Sequence, residues 1–378
     1  MGNAVQTPIM SAADHTTAAA ETGDQSQHAA ADGSAPALDI AVIIVTYRSA
    51  LLAIEALRSL LSERSTPGLR IRAVVVDNDS GDLPLIAEAV KDNDWSSWVT
   101  LVPAPENGGF AYGNNLGIQT AYASGIPSYV HLLNPDAQVR PGAIGSLVSF
   151  MEAHPQVGIA GSSFENLDGS DWPVAFRFPT LFSELNEGLE LGFVSRLLRP
   201  WIVARQMTLS NEVVDWICGA SMLIRPQVFA AIGGLDENYF LYYEETDFCR
   251  RAKEAGFPTW YVPESRVMHI AGQSTQVTGR ITEPRRLPAY WFESRRRYFA
   301  TTFGIGRAIA IDVVTVLAHA IGSVKRTLQL RQHKAVPHFI RDLVRHSVLW
   351  RRNRNFPPIR CAPLSDNDRS FLVSTRGG

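Results

Sequence analysis

Residues 129–137 read Tyr-Val-His-Leu-Leu-Asn-Pro-Asp-Ala, a mostly apolar run that stops at an Asn-Pro-Asp turn. The run has the composition of a buried strand, and the turn puts a carboxamide and a carboxylate at its end. In α/β folds, ligands and metal ions bind at the carboxyl ends of the strands. An Asn-Pro turn is also a common strand exit, so the meaning of Asn134 and Asp136 depends on the other segments of the chain.

Strand and helix patterns alternate around this segment, beginning at Asp39. The predicted strands are 40–46, 71–76, 99–102 and the run ending at Asn134, and the predicted helices are centred on 54–61, 84–90 and 115–123. This alternation predicts an α/β fold in which helices flank a mostly parallel sheet with right-handed crossovers.

The pattern loosens beyond residue 161. Residues 176–206 carry aromatic and leucine residues without a clean period, which is consistent with a lid or an acceptor-side insertion. Further on, the sequence predicts a strand pair at 213–224 around Gly219, a short acidic helix at 245–255, and strands at 259–262 and 266–269.

Composition sets the domain limits and narrows the possible partners. Residues 1–37 are polar, lack the features of a signal peptide, and are predicted to be a disordered tail, with a second tail at 361–378. The three widely spaced cysteines argue against a disulfide framework or a zinc site and fit a reducing cytoplasm. No nucleic-acid recognition motif is present.

Residues 281–360 are predicted to be a basic helical region that follows the main domain at 38–280. Inside it, residues 305–324 are the most apolar window, but charged residues interrupt that window and argue against a transmembrane span. One interpretation is a helix lying on the cytoplasmic membrane face, flanked by Lys325, Arg326, Arg331 and Lys334. The other is a helical subdomain packed on the core.

Four further segments carry candidate chemistry. The second strand ends at Asp77-Asn78, where an acidic side chain can accept a hydrogen bond from a ribose hydroxyl or a base N–H, although a polar turn is the simpler interpretation. The glycine-rich segment 106–115 lets the main chain approach a ligand just before a helix. No glycine fingerprint of a dinucleotide site or a P-loop follows the first strand.

An acidic cluster at Glu244, Glu245 and Asp247 opens the short helix. Such clusters commonly complement the helix dipole. Glu245 points away from the face that Glu244 and Asp247 share, and in a mouth lined by Tyr242, Tyr243 and Trp216 it is placed to act as a general base. His269 ends a strand and can supply a nitrogen ligand to a divalent ion.

Taken in order, these segments resemble family 2 glycosyltransferases with the GT-A fold, and among them the bacterial rhamnosyltransferase group. The resemblance covers about residues 39–275. It rests on Ile43-Ile44-Val45-Thr46-Tyr47, Val75-Val76-Asp77-Asn78, Asn107-Gly108-Gly109-Phe110, Leu133-Asn134-Pro135-Asp136-Ala137, Gly219-Ala220-Ser221, Glu244-Glu245-Thr246-Asp247 and His269.

The resemblance implies a role for each group of residues. Nucleotide-binding residues would be Thr46, Tyr47, Asp77, Asn78, Asn107, Gly108 and Gly109. Asp136 and His269, with Asn134 nearby, would hold Mg²⁺ or Mn²⁺. Glu245 would be the catalytic base, with Glu244 and Asp247 as possible supporting acids, and Trp216, Gly219 and Ala220 would contact the donor sugar or the acceptor. Asn134 and Glu245 stand where many relatives have aspartate.

The expected activity is inverting, metal-dependent transfer of a sugar such as L-rhamnose. The donor would be a dTDP- or UDP-linked sugar, and the acceptor a hydroxyl of a glycan or of a polyprenyl-diphosphate-linked sugar in cell-surface polysaccharide synthesis. The expected location is peripheral, on the cytoplasmic membrane face. The alternatives are a metal-dependent nucleotidyltransferase, which normally has a Gly-rich basic signature near its first strand, and a non-catalytic nucleotide-sugar-binding protein.

Overall fold

The computed structural model describes residues 37–172, 175–270, 284–328 and 336–361. All of these residues belong to one compact unit that begins at Ala37. Except for Ala37 and Cys361, the two predicted tails lie outside the described residues, as do Arg331 and Lys334.

Thirteen strands and eleven α-helices make up the described part of the chain. The strands are β1 (Leu38–Thr46), β2 (Leu69–Asp77), β3 (Val99–Pro103), β4 (Tyr129–Leu133), β5 (Ala137–Val139), β6 (Ile159–Glu165), β7 (Asp171–Trp172), β8 (Ala175–Phe176), β9 (Ala204–Arg205), β10 (Glu212–Val214), β11 (Trp216–Ile217), β12 (Ser221–Ile224) and β13 (Thr259–His269). The helices are α1 (Ala50–Glu63), α2 (Leu83–Asp92), α3 (Gly109–Ala123), α4 (Ala143–Ala153), α5 (Leu181–Leu189), α6 (Gly192–Leu197), α7 (Pro226–Ile232), α8 (Glu244–Glu254), α9 (Ala289–Phe303), α10 (Ile305–Leu328) and α11 (Phe339–His346).

The central sheet confirms the predicted α/β class, but it is parallel in one half only. Its order is β10-β13-β6-β12-β4-β1-β2-β3, with β5 beside β13 and β7 beside β6. Strands β3, β2, β1 and β4 are mutually parallel. Strand β12 runs antiparallel to both β4 and β6, so the second half is mixed. The apolar composition of β1 follows from its position in the middle of the sheet, buried on both faces.

Three predicted elements need correction. The strands around Gly219 do not pair with each other, because β11 joins a small sheet with β8 while β12 enters the central sheet. The two strands predicted at 259–269 are one strand, β13, whose pairing with β6 shifts register between Val262 and Arg266. Helix α3 begins at Gly109 rather than near Asn115, so the glycine-rich segment forms its first turn.

Helix α3 lies close to β1 because it carries glycines on the facing side. A Cβ at Gly113 would stand 2.5 Å from the Val45 side chain, and one at Gly117 would stand 2.5 Å from that of Ile43. This close packing places the beginning of α3 beside the carboxyl ends of β1 and β2.

The predicted C-terminal helical region is present and is joined to the insertion by buried charges. The Arg295 guanidinium on α9 donates to Glu184 on α5 and to Asp312 on α10, both at 2.6 Å. Asp312, which interrupts the apolar window, is therefore an internal ion-pair partner. Among the described helices, Ile305–Leu328 alone is long and apolar enough to cross a membrane by length and composition.

Candidate active site

Polar side chains gather where the parallel strands end. β1 and β2 are in register from Leu38 and Leu69 to Thr46 and Asp77, so these last two residues are neighbours at the carboxyl edge. The amide of Asn78 continues the ladder by donating to the Thr46 carbonyl at 2.9 Å. The predicted nucleotide-binding residues of the first two strands are thus brought together at one edge of the sheet.

The Asp77 carboxylate organises the loop that follows it. One oxygen accepts from the amide and hydroxyl of Ser80, at 3.0 and 2.6 Å, and the other accepts from the amides of Gly81 and Asp82, at 3.1 and 3.0 Å. The polar-turn interpretation of this segment therefore describes the structure. Recognition of a base or ribose by Asp77 stays a prediction.

Asp82, which was not singled out from the sequence, ties this loop back to β1. Its carboxylate accepts from the Thr46 hydroxyl at 2.6 Å and from the Ser49 amide at 2.8 Å. Thr46 is fully buried, so its side chain supports the edge from inside. Tyr47 is half-buried, with the Arg48 guanidinium 5.1 Å from its ring centre.

Asn78 connects the end of β2 to the start of α3. Its side-chain amide donates to the side chain of Asn107 and to the carbonyl of Gly109, both at 3.0 Å. Gly109 has a positive φ of 85°, and a Cβ there would stand 1.9 Å from the Phe240 carbonyl oxygen. Only glycine fits this contact, which fixes the glycine-rich turn beside the segment before α8.

Asp136 and His269 meet at the end of β4, as the resemblance implies. Oδ1 of Asp136 lies 3.2 Å from Nε2 of His269, and both side chains are buried. The backbone fixes this meeting, because Ala137 pairs with His269 across β5 and β13 and the Ile270 amide donates to the Asp136 carbonyl at 3.1 Å. The rings of Phe164 and Trp172 flank the imidazole at 5.2 and 5.3 Å.

This donor set suits a metal ion that is shared with a phosphorylated ligand. Within the described ranges, no group of three or more histidine, cysteine or acidic side chains is placed to hold a metal ion. Mg²⁺ commonly takes only one or two carboxylates from a protein and completes its shell with water and substrate phosphates. The buried Oδ1 of Asn134 has no hydrogen-bond partner among the described residues and is a further available oxygen.

The short segment Cys218-Gly219-Ala220 connects the turn that carries Asp136 with the acidic helix α8. The Ala220 carbonyl accepts from the Asn134 amide at 3.1 Å. A Cβ at Gly219 would stand 4.0 Å from the Cβ of Glu245 and 3.1 Å from the ring of Phe110. Burial, and then the charge of Glu245, raise the pKa of the Cys218 thiol to about 12, so this cysteine stays protonated and is not a nucleophile.

The two glutamates that begin α8 differ in their proton affinity. Burial raises the pKa of Glu245 to about 7, against hydrogen bonds from its own backbone and that of Gly219, which lower it. Burial and then the charge of Glu245 raise the pKa of Glu244 well above its usual range. Because the charge of Glu245 adds to the effect of burial at Glu244, Glu245 is the better placed of the two to give up its proton and act as a base.

The other residues predicted around the acidic helix have structural partners. The Asp247 carboxylate accepts from Arg250 at 2.9 Å and from Arg251 at 2.7 Å, which favours a structural role for it over that of a supporting acid. Trp216 stacks on Phe176 at 4.2 Å and its indole N–H donates to the Arg177 carbonyl. Tyr243 packs its ring against Tyr298 of α9 at 5.3 Å, with its side chain toward the C-terminal helices.

Residues 41–225 match the sequence profile of the family described as "Glycosyl transferase family 2". The matched segment is just under half of the chain. The family 2 segment contains the Asn134–Asp136 turn and Gly219, while Glu245 and His269 lie beyond it. The resemblance of the sequence to this family is thereby confirmed.

Curated proteins that are similar to this chain include rhamnosyltransferases. The chain is 34% identical over 187 residues to the N-acetylglucosaminyl-diphospho-decaprenol L-rhamnosyltransferase of Mycobacterium tuberculosis. This match covers 47% of the chain and 60% of that relative. The chain is also 24% identical over 261 residues to the dTDP-rhamnosyl transferase RfbF of Shigella flexneri. This second match covers 69% of the chain and 77% of that relative.

Among solved structures, the chain is similar to the crystal structure of GalNAc-T7 with UDP, GalNAc and Mn²⁺. The TM-score is 0.48 at 15% identity, and the match covers 70% of this chain and 50% of that one. The similarity to family 2 rests on the sequence match.

Proposed function

We propose that this protein transfers a sugar from a nucleoside-diphosphate sugar to an acceptor hydroxyl with inversion at the anomeric carbon. The observation that carries the proposal is the segment Cys218–Ala220, which holds the Asn134–Asp136 turn on one side and Glu245 on the other. This short segment thus connects Glu245, whose pKa burial raises to about 7, with a pair of residues suited to a metal and a diphosphate.

Glu245 is the general base of the proposed reaction. Its carboxylate takes the proton of the acceptor hydroxyl while that oxygen forms a bond to the anomeric carbon. The bond from that carbon to the diphosphate oxygen breaks, and the electron pair leaves with the diphosphate. Because the new bond forms opposite the departing one, the configuration inverts.

Asp136 and His269 are the proposed ligands of a divalent cation, Mg²⁺ or Mn²⁺. When bound, such an ion stabilises the negative charge that develops on the leaving diphosphate. Asn78, Asn107 and the backbone of Gly109 form the proposed nucleotide edge. The proposed donor is a dTDP- or UDP-linked sugar, and the names of the two relatives support rhamnose as the sugar and dTDP as the nucleotide.

The first test is a thermal-shift screen of nucleoside-diphosphate sugars in the presence of Mn²⁺. We expect one dTDP- or UDP-linked sugar to raise the melting temperature by several degrees, because a ligand at 100 times its Kd adds about 2.7 kcal/mol to the free energy of unfolding. Mn²⁺ alone and the free nucleoside monophosphate are the controls. A chain stabilised equally by nucleoside triphosphates, or by none of these compounds, would contradict the proposal.

The proposed acceptor is a polyprenyl-diphosphate-linked sugar or glycan at the cytoplasmic membrane face, and α10 supports this. Its buried side consists mostly of small or polar residues, namely Ala308, Ile311, Asp312, Thr315, Ala318 and Gly322. Its opposite side exposes large aliphatic residues, namely Val313, Leu317, Ile321, Val324 and Leu328. A helix on the surface of a water-soluble domain normally has the reverse arrangement.

The structure divides the roles of this helix between the two interpretations of the sequence. One side of α10 packs on α5, where a Cβ at Gly188 would stand 2.6 Å from that of Ala318. The other side is available to a lipid surface. The cationic attraction is weaker than the sequence indicates, since Arg295 is buried in ion pairs and Arg326 is paired with Glu190.

Replacing both Leu317 and Ile321 by serine is expected to weaken binding to vesicles containing phosphatidylglycerol by at least about tenfold. Each aliphatic side chain that leaves water contributes about 1.5–3 kcal/mol when fully buried, and partial burial in lipid retains part of this. Vesicle co-sedimentation measures the effect. The control is Leu209→Ser, which replaces a leucine that is 85% exposed and does not lie on α10.

Unchanged vesicle binding by the double variant would contradict the membrane assignment. A concentration-dependent dimer that the same variant abolishes would identify a second copy as the occupant of this face. Point variants are preferable to a truncation here, because Pro358 and Arg360 also contact the segment that leads to the acidic helix.

A further inference from the structure

The segment from Gly233 to Tyr243 connects α7 to the helix that carries Glu245, and it ends in an unusual conformation. Tyr242 and Tyr243 have φ values of 71° and 69°, in the left-handed region that non-glycine residues rarely adopt. Such residues cost about 1–3 kcal/mol each and persist only where the surroundings hold them. The Tyr243 carbonyl accepts the amide of Asp247 at 2.8 Å, so this turn sets the direction of the first turn of α8.

Helix α9 holds the left-handed turn from one side. The Ser294 hydroxyl donates to the carbonyl of Leu241 at 3.0 Å. The Tyr290 ring stacks on that of Tyr242, with centroids 6.2 Å apart and planes 18° apart. Side chains of α9 thus contact Leu241 and Tyr242, directly beside the strained backbone.

At the other end of the segment, Asp236 binds Arg297 of α9 and the backbone near the C-terminus of the described chain. One oxygen of its carboxylate accepts from Nε and Nη2 of Arg297, at 2.8 and 2.5 Å. The other accepts from the amides of Asn238 and Arg360, both at 3.1 Å. Both members of the ion pair are buried, at 2% and 5% exposure, so neither charge finds water if its partner is removed.

Helix α3 holds the segment from the opposite direction. The Phe110 amide donates to the Phe240 carbonyl at 2.9 Å, and the Gly109 backbone lies against the same group. Asn115 of α3 adds a hydrogen bond from its side-chain amide to the Leu235 carbonyl at 2.8 Å. The segment is therefore fixed between the predicted nucleotide edge and α9.

We propose that Asp236 and Arg297 are positioning residues for the reaction, which fix the left-handed turn at Tyr242–Tyr243 and thereby orient Glu245 toward the acceptor. The inference rests on the proposed function, because it assigns the role of base to Glu245. It makes α9 part of the catalytic unit rather than an appendage that only contacts the membrane.

Replacing Arg297 by methionine is expected to lower kcat by about 100-fold, the loss that a displacement of about 1 Å causes in a catalytic group. The Kd for donor, measured by calorimetry, and the KM for donor are expected to stay within about threefold, because the nucleotide edge lies on other elements. Arg297→Lys keeps one charged donor and is expected to recover part of kcat.

Arg286→Met is the matched control. It removes another arginine ion pair next to α9, the one in which Nε of Arg286 donates to Asp342 at 2.6 Å, and leaves Asp236 untouched. Its kcat is expected to equal that of the wild type. Should Arg297→Met fail to fold, Ser294→Ala removes a single hydrogen bond from the same clamp and is expected to lower kcat without changing donor affinity.

Three outcomes would overturn the inference. The first is a wild-type kcat in Arg297→Met or, where that variant does not fold, in Ser294→Ala. The second is a loss of kcat that equals the loss of donor-binding sites per chain, which indicates that Arg297 only keeps the protein folded. The third is an equal loss in Arg286→Met. Absence of transfer by the wild-type chain contradicts the proposed function itself and is recorded before any variant is measured.

Discussion

Replacing Glu245 by glutamine is expected to lower kcat for sugar transfer by about 10²–10⁴-fold, the contribution typical of a general base. Glutamine has the shape of glutamate but cannot take the proton of the acceptor hydroxyl. Donor affinity is expected to stay at the wild-type level, because the nucleotide edge is formed by the ends of β1 and β2 and the start of α3. Single-turnover transfer assays and donor calorimetry measure the two quantities separately.

The pH profile of the wild-type chain provides a second measurement of the same group. Because the base must be ionised to accept a proton, and burial raises the pKa of Glu245 to about 7, kcat is expected to fall as the pH decreases through about 7. A carboxylate with an ordinary pKa of about 4.3 would keep full activity down to about pH 5.5. The acid limb near neutrality is expected to disappear in Glu245→Gln, leaving the low residual rate without it.

Glu244→Gln is the matched control for this substitution. Burial and the neighbouring charge raise the pKa of Glu244 well above its usual range, which favours its neutral form, and glutamine resembles that form. We expect a much smaller loss of kcat than in Glu245→Gln. Equal losses in the two variants, or near-native transfer by Glu245→Gln, would contradict the assignment of the base.

Local sequence patterns predicted the parallel half of the central sheet. The apolar runs of β1, β2 and β4 are each buried in the sheet, and the residues at their ends meet at one edge because parallel strands place their carboxyl ends together. The meeting of Asp136 with His269 was inferred from the family resemblance. Its structural basis is the pairing of β5 with β13, and β5 is too short to be recognised from sequence.

The parts that the sequence did not predict depend on contacts between distant residues. The sequence predicts a helix from about Asn115, but α3 begins at Gly109, whose backbone fits against Phe240, more than a hundred residues away. Likewise, Asp236 lies in an ordinary-looking turn, and only its pairing with Arg297 distinguishes it. The outward aliphatic side of α10 could be recognised only once the buried side was known.

Replacing Asp136 by alanine is expected to lower kcat by about 10³-fold, because a metal-type site contributes several kcal/mol of charge stabilisation and each 1.36 kcal/mol changes the rate tenfold. The variant removes the carboxylate oxygen that lies 3.2 Å from Nε2 of His269. The backbone contacts of the turn stay in place, because the Asp136 carbonyl still accepts from Ile270. The melting temperature is therefore expected to change little.

The deciding measurement for Asp136 is the dependence of donor affinity on Mn²⁺. In the wild-type chain we expect Mn²⁺ to increase the affinity for a nucleoside-diphosphate sugar and EDTA to reverse this, whereas in Asp136→Ala the two conditions should give the same Kd. Asn134→Ala is the control, because it keeps both backbone hydrogen bonds of the turn, to Ala220 and from Ala137. An increase in affinity with Mn²⁺ that persists in Asp136→Ala would exclude this carboxylate as the principal ligand, and its loss in Asn134→Ala alone would transfer that role to the orphaned amide oxygen.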